Sequence, residues 1–337
     1  MLLFGIPIIL IVIVLMAWAI DFINGFHDTA NSIATVVSTG VLSGRNAIMM
    51  AAVLNFSGAM VGTKVAATIA KGLADTSLIV PSVIIAAVAA AIIWDLLTWY
   101  FGIPSSTSHT LMGGLAGAVV AHAGVKALKW GKLEEIFMFI FISPLLGFLV
   151  AMVIILVLLW MLRDRTLTKV NTWFRKLQLV SAAAMSFSHG TNDAQKAMGV
   201  ICMGLMLFGY LTPHGAKLDV PLWVKLGSAT FMALGTASGG WRIIKTLGSK
   251  IVRLRPIHGF AAETAAASVL SVAAFLGVPV STTHAISGSI MGVGATMNAN
   301  AVRWGIAGNI FVAWILTIPC SALIATGVYH ILKHFHV

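Results

Sequence analysis

The chain has 337 residues, of which 59% are hydrophobic and only 9% are charged. Soluble domains carry about 25% charged residues, so this chain has too little charge to cover a surface that faces water. The composition excludes an ordinary soluble protein and predicts an all-α integral membrane protein with about 10–12 membrane segments, since one span takes about 20 apolar residues. The net charge of +11 lies in short basic runs between apolar segments, which indicates the positive-inside rule rather than binding of nucleic acid.

Apolar stretches follow one another along the chain. We predict them at about 4–20, 22–42, 46–70, 81–103, 136–162, 180–209, 222–244, 257–277 and 303–332. Two further stretches, 104–125 and 279–298, are rich in Gly and in hydroxyl side chains, and each begins with a Pro. Because Pro lacks a backbone N–H and restricts the residue before it, we interpret each stretch as a re-entrant hairpin or a broken helix.

Two motifs occur twice, in the same order. Residues 102–109 (GIPSSTSH) resemble residues 277–284 (GVPVSTTH), and residues 24–31 (NGFHDTAN) resemble residues 189–196 (HGTNDAQK). The repetition predicts three regions along the chain: a first membrane repeat at 1–125, a linking span with a basic cytoplasmic loop at 126–179, and a second membrane repeat at 180–337. A single linking span predicts that the second repeat is inverted, an architecture that recurs among transporters.

Two connections are strongly basic. The residues concerned are Arg163, Arg165, Lys169, Arg175 and Lys176 in the first, and Arg242, Lys245, Lys250, Arg253 and Arg255 in the second. The positive-inside rule places both on the cytoplasmic side of the membrane. The two spans predicted between them agree with that assignment.

Four acidic residues lie inside predicted membrane segments: Asp28, Asp95, Asp193 and Glu263. An ionised carboxylate at the centre of a bilayer costs at least about 2.5 kcal/mol, so such residues predict an ion or proton pathway. The alternative, chiefly for Asp95, is a structural charge pair. Amide side chains that can bind a small cation through oxygen accompany the two motif aspartates: Asn24, Asn31, Asn192 and Gln195. Lys196 either balances Asp193 or faces an anionic substrate.

The hydroxyl runs that follow the two Pro residues are candidates for an anion site. Their members are Ser105, Ser106, Thr107 and Ser108 in the first copy, and Ser281, Thr282 and Thr283 in the second. If each run opens a helix, its free N–H groups and the positive end of the helix dipole attract an anion. Two such sites can converge on one tetrahedral oxyanion. The alternative is that the hydroxyls only allow close helix packing, and His109 and His284 are either proton carriers or structural.

These motifs resemble the duplicated signatures of the inorganic phosphate transporter (PiT) family. Residues 25–31 and 190–196 are similar to its Gly-x-Asn-Asp motif, and residues 104–109 and 279–284 are similar to its second motif. Residues 255–264 are also similar to the family, and the likeness covers nearly the whole chain. His27 stands where the family usually has Asn, a variation that resembles the bacterial branch.

The resemblance implies a secondary transporter that imports inorganic phosphate, free or as a metal complex, by symport with H⁺ or Na⁺ through alternating access. It implies a multi-pass protein of the bacterial inner membrane. We assign substrate binding to the residues of the two hydroxyl runs together with Asn31, Asn192 and Lys196. We assign ion coupling to six polar residues: Asp28, Asp193, Asn24, Gln195, Glu263 and Asp95.

The expected partners are inorganic phosphate, the coupling cation and membrane lipid, with an oligomer of identical subunits left open. No cofactor, resident metal, nucleic acid or enzyme activity is expected. The nearest alternative function is a permease for sulfate or another oxyanion on the same scaffold. An intramembrane hydrolase is a remote alternative, because the chain has no Gly-x-Ser-x-Gly elbow and such a site needs no duplication. A passive channel is a third alternative.

Overall fold

A computed structural model of the protein describes residues 2–3, 5–71, 78–212 and 218–335. Two short strands, β1 (Leu2–Leu3) and β2 (Ile6–Pro7), pair antiparallel ahead of the first helix. The first six helices are α1 (Ile8–Ser38), α2 (Gly44–Ala59), α3 (Lys64–Ala70), α4 (Pro81–Phe101), α5 (Thr107–Ala123) and α6 (Trp130–Met161). The next six are α7 (Leu167–Leu207), α8 (Leu222–Ser238), α9 (Trp241–Lys245), α10 (Pro256–Leu276), α11 (Thr282–Met297) and α12 (Trp304–His334). A π-helical turn, Thr246–Lys250, continues α9.

Five of these helices are long and apolar enough to cross a membrane: α1, α4, α6, α10 and α12. The pair α2 and α3, which is bent by 70°, would make a sixth span. Helix α7 is longer than any of them, with 41 residues, but polar side chains interrupt its apolar sequence. The prediction of an all-α, multi-pass membrane protein is therefore confirmed.

Two predicted segment boundaries are wrong. The stretches 4–20 and 22–42 form one continuous helix, α1, because Asp21 is buried within it and no Pro interrupts its interior. The predicted span at 180–209 begins earlier, because α7 starts at Leu167. Several basic residues expected in a loop, such as Lys169 and Arg175, therefore lie on the exposed side of the first turns of α7.

The two stretches that begin with Pro contain a short irregular segment and then a buried helix. Gly102 and Gly277 end α4 and α10 in the left-handed conformation, with φ of 67° and 75°. This conformation costs Gly little and is a common helix terminator. Helices α5 and α11 start only at Thr107 and Thr282. The prediction of a chain break at each Pro, followed by a helix at each hydroxyl run, is confirmed.

Corresponding helices of the two halves pack in a reciprocal pattern, in which each one contacts a helix outside its own half. Helix α1 packs against α8, and its counterpart α7 packs against α2. Helix α5 packs against α12, and its counterpart α11 packs against α6. Helices α1 and α7 also cross each other in opposite directions, since Asn24 bonds to Asp193 while Thr39 bonds to Gln178. Such antiparallel packing is what an inversion of the second half requires; the boundaries at 125 and 179 stay predictions.

Candidate functional site

Asp193, in the middle of α7, is the most heavily contacted acid of the described residues. Lys196 Nζ lies 2.9 Å from its Oδ1. Its Oδ2 accepts hydrogen bonds from Asn24 Nδ2 at 3.2 Å and from Thr282 Oγ1 at 3.3 Å, and it lies 3.4 Å from His189 Nε2. The carboxylate is fully buried. Helices α1, α7 and α11 therefore meet at this one side chain.

Asp28 occupies the corresponding place in α1. Its Oδ1 lies 2.6 Å from His27 Nδ1. The other ring nitrogen of His27 lies 3.2 Å from Thr98 Oγ1 and 3.3 Å from Ser105 Oγ. An ionised carboxylate only accepts hydrogen bonds, so the imidazole donates to it. His27 thus links the first motif aspartate to the first hydroxyl run.

Asn31 connects the first motif to the second hydroxyl run. Its Nδ2 donates to Thr282 Oγ1 at 3.2 Å and to Thr283 Oγ1 at 2.9 Å. Its Oδ1 is buried and has no partner among the described residues. We call the set formed by Asp28, Asn31, His189, Asp193, Lys196 and Thr282 the central cluster.

The two hydroxyl runs form helix N-termini that meet beside the central cluster. Ser106 caps α5 by accepting from the His109 N–H at 3.4 Å, and Ser281 caps α11 by accepting from the His284 N–H at 3.2 Å. The first N–H groups of a helix lack intrahelical partners and attract anions. The two ends are close, since Ser108 Oγ donates to the Val280 carbonyl at 3.1 Å. Two N-termini inside the protein therefore face one small region.

A cation can bind in the same region. Asp28, His189 and Asp193 each offer one ligand atom, and these atoms lie within 4.8 Å of one another. All three side chains are buried. Two carboxylates and a neutral imidazole are a ligand set that accepts a range of cations. The central cluster therefore combines a candidate cation site with donors for an anion.

Two of the predicted ligands have structural roles instead of contacts with the central cluster. Asn192 Nδ2 donates to the carbonyls of Ser188 and Leu270, at 2.8 and 3.1 Å. Gln195 Oε1 accepts from the backbone N–H groups at the start of α3, at 2.9 and 3.1 Å. Gln195 thus caps a neighbouring helix. Only Oδ1 of Asn192, which has no partner among the described residues, is available to a ligand.

Glu263 and Asp95 are buried away from Asp193, each in its own hydrogen-bonded pocket. Glu263 accepts from Thr35 Oγ1 at 2.5 Å, from Gln178 Nε2 at 3.0 Å and from the Ser181 hydroxyl. Asp95 Oδ1 accepts from Thr110 Oγ1 at 3.1 Å. No Lys or Arg pairs with either acid among the described residues. The structural charge pair considered for Asp95 is therefore not formed among the residues that the structure describes.

His189 was not assigned a role from the sequence. It stands four residues before Asp193, so helical spacing places the two side chains on one face. Its Nδ1 lies 3.1 Å from Asn55 Oδ1, which orients the ring. The i, i+4 spacing between His189 and Asp193 is the sequence signal that could have identified it.

The sequence model of the Phosphate transporter family matches residues 24–169 and 162–325. The chain belongs to this family. A probable low-affinity inorganic phosphate transporter of Bacillus subtilis (strain 168) is 47% identical over 328 residues, which are 97% of this chain and 98% of that protein. A protein of the same description from Rhizobium meliloti (strain 1021) is 47% identical over 322 residues, or 95% and 96% of the two chains.

A solved structure is also similar. It is described as the sodium-dependent phosphate transporter, and the two structures superpose with a TM-score of 0.86 over 97% of this chain and 99% of that chain, at 26% identity. The family predicted from the duplicated motifs is confirmed, as is the prediction of a transporter rather than an enzyme.

Replacing a capping serine tests the anion site. We expect Ser106→Ala or Ser281→Ala to remove the side chain that holds the first turn of α5 or α11, at a cost of about 1 kcal/mol. The half-saturating phosphate concentration in an uptake assay should rise about fivefold. Ser43→Ala is the matched control, because Ser43 caps the exposed start of α2 in the same way, away from the cluster. An equal rise in the control would contradict the assignment.

Proposed function

We propose that this protein imports inorganic phosphate together with a cation, H⁺ or Na⁺, by alternating access. The observation that carries the proposal is the central cluster, where Asp28, Asp193 and Lys196 meet the two hydroxylated helix N-termini. The N–H groups, the hydroxyls and Lys196 bind the anion, and the two aspartates bind the cation. The proposed location is the bacterial inner membrane, with the basic connections in the cytoplasm.

Phosphate is favoured over sulfate by the two carboxylates in the cluster. Hydrogen phosphate carries an O–H group that can donate to an aspartate, whereas sulfate at neutral pH has only acceptor oxygens. A sulfate ion beside Asp28 and Asp193 would therefore face acceptors without a donor of its own. A metal ion that enters with phosphate would also neutralise the carboxylates, so the proposed substrate is phosphate either free or as a metal complex.

Coupling is assigned to the two motif aspartates with Asn24, and also to Glu263 and Asp95, which are buried acids without a basic partner among the described residues. Asp28 and Asp193 share a cluster with one lysine, so their combined charge exceeds its charge when both are ionised. A bound cation restores the balance, and phosphate binds more strongly once that cation is present. The order of binding follows from this electrostatic dependence, because an anion approaches two uncompensated carboxylates unfavourably.

Flux measurements test the proposal. Purified protein in liposomes should accumulate labelled phosphate against its gradient when either a pH gradient or a sodium gradient is imposed. The two gradients are varied independently, and the one that drives accumulation identifies the coupling cation. Absence of uptake under both gradients would sink the proposal, inhibition by sulfate without phosphate uptake would support the sulfate alternative, and equilibration without accumulation would indicate a channel.

A further inference from the structure

Two basic side chains make matching contacts at corresponding places in the two halves. Lys64 Nζ donates to the Phe275 carbonyl at 2.8 Å and lies 4.3 Å from the centre of the Phe275 ring. Arg242 donates to the Tyr100 carbonyl, and its guanidinium carbon lies 4.8 Å from the centre of the Tyr100 ring and 5.1 Å from that of Trp99. Each basic residue thus binds both the backbone and the ring of an aromatic residue in the other half.

A threonine four residues later completes each set. Thr68 Oγ1 donates to the Gly277 carbonyl at 2.8 Å, and Thr246 Oγ1 donates to the Gly102 carbonyl at 3.0 Å. We call Lys64, Thr68, Phe275 and Gly277 the outer clasp. We call Arg242, Thr246, Tyr100 and Gly102 the inner clasp. The carbonyl groups that accept these hydrogen bonds belong to equivalent residues of the two repeats, so the same clasp occurs once in each half.

Each clasp holds the segment that leads to a hydroxyl run. Gly277 is four residues before Ser281, the cap of α11, and Gly102 is four residues before Ser106, the cap of α5. The basic side chain also lies at the negative end of α10 or α4, which favours a cation there. Movement of a clasp therefore displaces one wall of the central cluster.

The two clasps lie near opposite faces of the membrane. Helix α10 starts directly after the basic residue Arg255 and has 21 residues, a length of about 31 Å. Phe275, near its far end, is therefore separated from the basic face by about one bilayer thickness. Arg242 belongs to the same basic stretch as Arg255, so the inner clasp lies at the basic face.

We propose that the two clasps are the gates of the transport cycle, with Lys64 and Arg242 as the residues that open and close them. The inference rests on the proposed function. Both clasps are closed in this structure, and the central cluster is buried between them. Release of the outer clasp frees residues 278–281 and exposes the cluster to the outside, and release of the inner clasp frees residues 103–106 and exposes it to the cytoplasm.

The clasps differ in strength. Arg242 contacts two aromatic rings and Lys64 contacts one. A guanidinium also stacks on aromatic rings better than an ammonium does. The outer clasp should therefore open more readily than the inner clasp.

Thiol labelling in membrane vesicles tests the proposal. Cys202 and Cys320 are first replaced by Ala, and a reporter is introduced directly after one clasp glycine, either Val278→Cys or Ile103→Cys. A membrane-impermeant thiol reagent is then added to right-side-out or inside-out vesicles. Lys64→Met should raise labelling of the outer reporter from outside about tenfold, the ratio expected when one charge-assisted hydrogen bond is lost. It should not raise labelling of the inner reporter.

Arg242→Met should give the reverse result, with about a tenfold rise at Ile103→Cys from the cytoplasmic side only. Lys64→Arg and Arg242→Lys keep a charged donor, so both should change labelling less than the Met variants do: Arg242→Lys should label slightly above the parent and Lys64→Arg slightly below it. Thr68→Val and Thr246→Val remove the second contact with little change in volume, and they replace the Met variants if those do not fold. Equal changes at both reporters, or no change, would overturn the proposal. Labelling needs no phosphate movement, so a failure of the transport proposal is recognised separately.

Discussion

Replacing Asp193 with Asn should abolish accumulation of phosphate and destabilise the protein at the same time. Lys196 is buried, and Asp193 is the acid with which it pairs. Breaking a buried ion pair on one side leaves an uncompensated charge, at a cost of about 3–5 kcal/mol. We expect a lower unfolding temperature in detergent and no uptake in liposomes under either ion gradient.

A double replacement separates the two effects. In Asp193→Asn combined with Lys196→Met no unpaired charge remains, so most of the lost stability should return. Uptake should stay absent, because the proposed cation ligand and the ammonium proposed to bind phosphate are both gone. Asp28→Asn should abolish coupling with a smaller loss of stability, since its contact is with a histidine that can stay neutral. Normal uphill uptake in Asp28→Asn and in the double variant would refute the role assigned to the aspartates.

Gly25→Ala and Gly190→Ala should have the second largest effects. A Cβ atom at Gly25 would overlap the Met232 carbonyl of α8, and one at Gly190 would overlap the Asn55 carbonyl of α2. Both obstacles are backbone atoms that cannot rotate away, so the helices must separate, at a cost of about 3 kcal/mol or more. The motif aspartate lies three residues later in each helix, so uptake should fall with stability.

Gly308→Ala is the matched control for these two replacements. Gly308 is also within a long helix, α12, but nothing lies within 4 Å of a Cβ atom placed there. We expect an unchanged or slightly higher unfolding temperature, because Ala is the better helix former. Thermal unfolding and initial uptake rates are measured for all three variants. A loss in the control as large as in Gly25→Ala would show that close packing is not the cause.

The sequence predicts the hydroxylated helix starts because their signals are local. The signal is a Pro followed two positions later by a serine, which accepts a hydrogen bond from the backbone N–H three residues further on. It involves only a few neighbouring positions. The merged helix α1 was not predicted, since the neighbours that bury Asp21 come from elsewhere in the fold. The prediction treated the polar residue Asp21 as the boundary between two membrane segments, whereas it lies inside one helix.

The neighbours of Glu263 show why other contacts could not be predicted. Thr35, Gln178 and Ser181 come from α1 and α7, far from Glu263 along the chain. No periodicity connects them, and only the antiparallel crossing of two helices brings them together. Gln195 is the opposite case, because it lies beside Asp193 in sequence and yet caps α3. Adjacency within a motif does not fix which way a side chain points.

The packing of α5 against α12, which lies in the other half, has a consequence for biosynthesis of the protein. Gly113 and Gly117 of α5 make close backbone contact with α12, at Ile318 and Ala322. Translation proceeds from the N-terminus, so α5 leaves the ribosome long before α12 is made. Until then its small-residue face must be covered by lipid or by an insertion factor. A nascent chain cut short before α12 therefore leaves this face of α5 without the helix that packs against it.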